Sequence, residues 1–100
     1  MLNDPEQYEK MAAILKSMAH PTRMSILLLL GQHGELTVSA LTAALEVKQT
    51  TISQHLQKMK LYGLLKSKRK GKFIFYCLKH KHLVEIIEIT QRIYEEVEKK

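Results

Sequence analysis

The chain has 100 residues, 45% of them hydrophobic and 26% charged, with a formal net charge of +6. That length supports one core and one domain, residues 1–100, and the composition excludes a disordered or low-complexity chain. The longest apolar run, Ile26 to Leu30, is far too short to cross a bilayer, so no membrane partner is expected.

In chain order, Asp4 can cap a helix and Pro5 can fill its first position. Tyr8, Met11, Leu15 and Met18 then recur at helical spacing, to about residue 19. His20-Pro21-Thr22-Arg23 breaks that helix and opens a second. Met24 and Ile26 to Leu30 are apolar almost all round, which predicts a buried central helix ended by Gly31 and Gly34. A third helix over about 37–45 carries Val38, Leu41 and Leu45. After Glu46-Val47-Lys48, a fourth runs over about 49–62, with Ile52, Leu56 and Met59 on one face and Gly63 as its stop. Strands near 64–69 and 73–78 follow, turning at Lys70-Gly71. The last helix, about 80–98, places Leu83, Ile86, Ile87, Thr90, Ile93, Tyr94 and Val97 on one stripe. That stripe is long for so small a domain: pairing with the first helix uses part, and a second copy of the chain can cover the rest.

The fourth helix is the most informative segment. Opposite its apolar face lie Gln49, Thr50, Ser53, Gln54 and Gln57, short uncharged side chains of the kind that reach base edges in a major groove. Two helices joined by a short turn over about 37–62 make a helix-turn-helix, and the hairpin over about 64–78 makes its wing. Charge agrees with this. Between Val47 and Val84 the sequence has ten Lys or Arg and no Asp or Glu, while each flank has five acids against three Lys/Arg. A basic segment by itself is equally well a solvated face; coinciding with a helix-turn-helix, it is a phosphate-binding footprint. Gln49, Thr50, Ser53 and Gln54 are expected in the groove, and Lys68, Arg69, Lys70 and Lys72 on phosphate or in the minor groove. Thr51 and Lys58 join the set, with His55 on phosphate or in the packing.

Three segments together resemble the ArsR family of small dimeric winged-helix repressors. They are Met18-Ala19-His20-Pro21-Thr22-Arg23-Met24-Ser25-Ile26-Leu27, Gln49-Thr50-Thr51-Ile52-Ser53-Gln54-His55-Leu56 with Tyr62-Gly63-Leu64-Leu65, and Arg69-Lys70-Gly71-Lys72-Phe73-Ile74-Phe75-Tyr76. Lys48 departs from the family's frequent Ser cap. The resemblance implies a mainly α fold with a small β-hairpin wing (α+β), a winged helix-turn-helix in the order helix–helix–helix–helix–strand–strand–helix. It also implies a homodimer through the first and last helices (about 5–19 and 80–98), seated on double-stranded, pseudo-palindromic operator DNA and released by an effector.

Many members of that family sense metals. The thiolate site on the third helix corresponds here to Thr37-Val38-Ser39, and hydroxyls cannot replace thiolates for a soft ion. A zinc-type site on the last helix would use His80 and His82 with Glu96 of the partner subunit, but Ile93 stands where a further histidine would be. The plain alternative is that both histidines are solvated and that no cofactor is bound. Cys77 excludes an intrachain disulfide and fits a reducing cytoplasm as a small hydrophobe or a redox sensor. The start, Met1-Leu2-Asn3-Asp4-Pro5, has neither the basic nor the apolar region of a signal peptide. A cytoplasmic chain, nucleoid-associated when on DNA, is therefore expected. No nucleophile sits with an adjacent base, so an enzyme is not expected. A winged helix used for protein contact is disfavoured, because the reader face lacks an aromatic anchor.

Overall fold

A computed structural model describes residues 4–99. The signal-peptide reading rests partly on residues 1–3, which lie outside the described residues. The order is α1 (Pro5–Met18), α2 (Pro21–His33), β1 (Leu36–Thr37), α3 (Val38–Leu45), α4 (Gln49–Leu61), β2 (Leu65–Lys70), β3 (Phe73–Leu78) and α5 (His82–Glu98). Among the described residues, no helix is long and apolar enough to cross a membrane.

The helix starts are chemically specified. Asp4 Oδ1 accepts from the Glu6 and Gln7 amides at 3.1 and 3.3 Å, with Pro5 in the first turn. His20 caps α2 through Nδ1, which accepts from the Thr22 N–H at 3.1 Å. Thr37 Oγ1 accepts from the Ala40 N–H at 3.2 Å and starts α3. At the end of α4 the Leu64 amide donates to the Met59 carbonyl and the Gly63 amide to the Lys60 carbonyl. Gly63 supplies the φ of +82° that this closure needs.

α2 is the centre. Ile26, Leu27 and Leu30 are buried with Leu41 of α3, Ile52, Leu56 and Met59 of α4, Leu65 of β2 and Leu83 and Ile87 of α5. The sheet is antiparallel with strand order β1-β3-β2, so the expected hairpin has a third strand. Leu36 pairs with Tyr76 and Thr37 with Phe75, while Leu65 to Lys70 pair with Leu78 to Phe73.

The structure amends three expectations. Gly31 does not end α2 but lies inside it, beneath α5; a β-carbon there would stand 2.6 Å from Val84 Cγ2. Gly34, at φ +85°, is the true cap. The last helix begins at His82, leaving His80 in the preceding loop. Finally, the long stripe of α5 is divided. Leu83 and Ile87 are buried in the subunit's own core, and α5 packs on α2 and α1 on α4 instead of chiefly on each other.

Gly31→Ala is expected to destabilise the fold by about 1–3 kcal/mol through overpacking, outweighing roughly 1 kcal/mol of helix propensity gained. Denaturant titration of Gly31→Ala, Val84→Ala and the double variant checks this, with the double variant recovering most of the loss.

Candidate nucleic-acid interface

α4 is held by Ile52, Leu56 and Met59, each without solvent exposure, and this turns its opposite side outward. Gln49, Thr50, Gln54, Gln57 and Lys58 are exposed there, while Thr51 and Ser53 are half-buried on its flanks. Lys48 makes no side-chain cap bond, so among the described residues the first-turn amides of α4 have no capping side chain. That end of the helix carries partial positive charge suited to a phosphate.

His55 points elsewhere. It is half-buried, its Nδ1 accepts from Arg23 Nε at 3.0 Å, and its ring lies 4.4 Å from that of His20. Burial, then the charges of His20, Arg23 and Lys58, holds its imidazole below the usual histidine range.

The wing is fixed to the same helix. Gln57 Nε2 donates to Tyr76 Oη at 3.2 Å, and Lys60 Nζ donates to Ser67 Oγ at 2.7 Å. Residues directly opposite in the β2–β3 register share a sheet face. Lys66, Lys68 and Lys70 therefore share one face with Cys77, Phe75 and Phe73, and Arg69 shares the other with Ile74, Ser67 and Tyr76. The basic tip thus points to both sides of the sheet. Lys68, Arg69, Lys70 and Lys72 are all exposed. Lys70 is not free: it pairs with Glu35 and lies 5.0 Å from the Phe75 ring centre, while Lys72 lies 5.4 Å from that of Phe73. The bond from Lys70 holds the Glu35 carboxyl below its usual range against slight burial, helped by the charges of Lys70 and Lys68.

A family described as a helix-turn-helix domain matches residues 18–68. An uncharacterised HTH-type transcriptional regulator of Methanocaldococcus jannaschii is 36% identical over 88 residues, covering 88% of this chain and 99% of the relative. The homodimeric winged helix-turn-helix DNA-binding domain of a possible ArsR-family regulator from Mycobacterium bovis superimposes with a TM-score of 0.79. It is 29% identical, over 94% of this chain and 86% of that one. The chain belongs to the ArsR family. The crystal structure of the transcriptional repressor PagR of Bacillus anthracis is similar too, with a TM-score of 0.76 and 36% identity over 87% of this chain and 99% of that one. This ArsR-family protein is a DNA-binding transcriptional regulator and not an enzyme.

The metal-ligand positions suggested by the sequence separate. Thr37 spends its hydroxyl on capping α3 and Ser39 is exposed, so a soft ion finds no thiolate there. His82 Nδ1–H donates to Glu85 at 3.1 Å, and Glu96 lies 14 positions along α5, about 21 Å away at 1.5 Å per residue. One subunit of this ArsR-family chain therefore cannot close a site from His80, His82 and Glu96. With Ile93 contributing nothing, each site shared between two subunits would have three protein donors and would leave its fourth position to water.

Sequence reasoning missed Arg23, Lys60, Lys66 and Glu35 as contributors. Strand alternation from Lys68 would have found Lys66; the others depend on partners distant in sequence. Glu35→Gln is expected to free Lys70, tightening nonspecific duplex binding and steepening the log–log salt dependence by up to about 0.9. Fluorescence anisotropy with a labelled duplex at several salt concentrations measures both.

Proposed function

We propose that the chain is a dimeric repressor that reads a pseudo-palindromic operator, such as one in its own promoter, with α4 and grips the flanking backbone with its wing. The observation that carries this reading is the exposed polar face of α4, set rigidly beside a basic wing by the Gln57–Tyr76 and Lys60–Ser67 bonds. Gln49, Thr50, Ser53 and Gln54 are assigned to base edges, with Thr51 and Lys58 at the margins. Lys68, Arg69 and Lys72 are assigned to phosphate or the minor groove, joined by Lys70 when DNA competes with Glu35. His55 supports the reading helix from behind. PagR, named a repressor, favours the direction of control.

Dimerisation follows from what a single subunit leaves uncovered. Tyr8, Met11, Ile14 and Leu15 of α1 and Ile89, Ile93, Tyr94 and Val97 of α5 are all exposed. Apolar surface on two helices at once marks a partner interface, and the homodimeric Mycobacterium bovis domain supports a second copy as the partner. Two readers about 34 Å apart then match half-sites one helical turn apart. An intracellular place, on or off the nucleoid, follows from this role. The releasing effector is assigned no metal, since the donor set described above lacks a fourth protein ligand.

Gln54→Ala is expected to cost about 1–3 kcal/mol on operator DNA and to relax sequence preference. Replacing Lys68, Arg69 and Lys72 should weaken all duplexes alike and flatten the salt dependence. Binding by selected and scrambled duplexes separates the two groups; wing variants that leave scrambled-duplex binding intact would refute the assignment.

Sedimentation at micromolar concentration is expected to show a dimer, and Ile93→Glu with Tyr94→Glu a monomer. A stable parent monomer would overturn the dimer assignment.

A further inference from the structure

Arg23 occupies a junction that nothing in DNA reading itself requires. It projects from the first turn of α2, yet its bonds go to two other helices. Nη1 donates to the Ser17 carbonyl of α1 at 3.0 Å, and Nε donates to His55 Nδ1 of α4 at 3.0 Å. Both bonds are partly buried, and Ser17 is among the buried residues of α1. A guanidinium with both bonds made acts as a brace of fixed length between the end of α1 and the middle of α4.

We infer that Arg23 is a positioning residue for DNA recognition, coupling the dimer-forming helix α1 to the reading helix α4, and that protonation of His55 breaks the coupling. The inference rests on the DNA-reading role proposed above for α4. His55 directly follows Gln54, so any movement of its side-chain anchor is felt at a base-reading position.

The chemistry allows only one protonation state of the imidazole. Arginine is always charged and can only donate, so His55 must present a lone pair at Nδ1 and carry its proton on Nε2. A proton arriving at Nδ1 removes the acceptor and sets an imidazolium against a guanidinium. Among the described residues, nothing nearby compensates. α2 presents His20 and Arg23, α4 itself presents Lys58, and α1 presents the Ser17 carbonyl, already bonded to Arg23. Every charged group acting on His55 is basic. His20 is itself held, because its Nδ1 caps α2 through the Thr22 N–H. The imidazolium is therefore driven outward, and α4 loses its tie to α1.

The sign follows from the lowered imidazole. The neutral, bonded form and the stability it brings are fully present above about pH 6.5 and are lost as pH falls through the lower folded value.

The test uses the full chain and two short duplexes, one enriched from a random library by the wild-type protein at pH 7.5 and one scrambled. The readout is the ratio of their dissociation constants between pH 7.5 and 5.5, with circular dichroism at each pH. The ratio cancels the general gain in phosphate attraction that acid gives any histidine-bearing protein. The wild-type preference is expected to fall about tenfold, within the usual range of coupling between sites. His55→Asn keeps an acceptor at the δ position and cannot take up a proton, so its ratio is expected to be flat with pH, whatever its starting value. Arg23→Gln should begin low and stay flat. A wild-type ratio that does not change, an equal fall in His55→Asn, or loss of helical signal in step with the ratio would each overturn the inference. Failure of the wild type to prefer any duplex at pH 7.5 would instead overturn the DNA-reading role.

Discussion

Everything on the DNA side depends on one packing constraint, the complete burial of Ile52, Leu56 and Met59 beside Ile26, Leu27 and Leu30. Each such side chain contributes about 1.5–3 kcal/mol when withdrawn from water. Rolling α4 by a single residue, about 100°, would expose two or three of them and bury glutamine or threonine in exchange. That cost rivals the whole stability of a small domain. The rotational setting of the polar face is thus fixed by the core, and the wing inherits it through Leu64 and Leu65, both buried.

The sequence made the helices legible because their ends are written in local chemistry. Asp4-Pro5, His20-Pro21 and Gly63 place boundaries to within a residue or two, since caps involve neighbours only. β1 was not legible: two residues have no periodicity, and Leu36–Thr37 is a strand only because β3 lies alongside. Gly31 was misjudged for a related reason. A glycine after an apolar run reads as a terminator, and only the approach of Val84 from a distant helix reveals a packing contact. The stripe on α5 is continuous in sequence but has two destinations, Leu83 and Ile87 inward and Ile93, Tyr94 and Val97 outward.

The candidate site divides along the same line. Its polar face follows from helical spacing, and its basic character from composition. What each charged or titrating side chain is doing does not follow from either. Lys70 faces Glu35 and His55 faces Arg23 through contacts across 35 and 32 positions, which no local pattern reports. Such pairings separate charges that are free for DNA from those already engaged, so the effective charge of the surface is less than its residue count.

The strand order β1-β3-β2 leaves β2 as the longer of the two edge strands, beside the exposed Phe73 and Ile74 of its neighbour. An unpaired edge is a template for adding another chain, and proteins commonly block such edges with lysine. β2 carries Lys66, Lys68, Arg69 and Lys70 within six residues. Lys68, Arg69 and Lys70, assigned above to phosphate, would therefore also act as gatekeepers against fibre-like association of the free protein. Evolution toward a weaker-binding, less basic wing would erode colloidal solubility at the same time, so affinity in this protein is more safely retuned on α4 than on the wing.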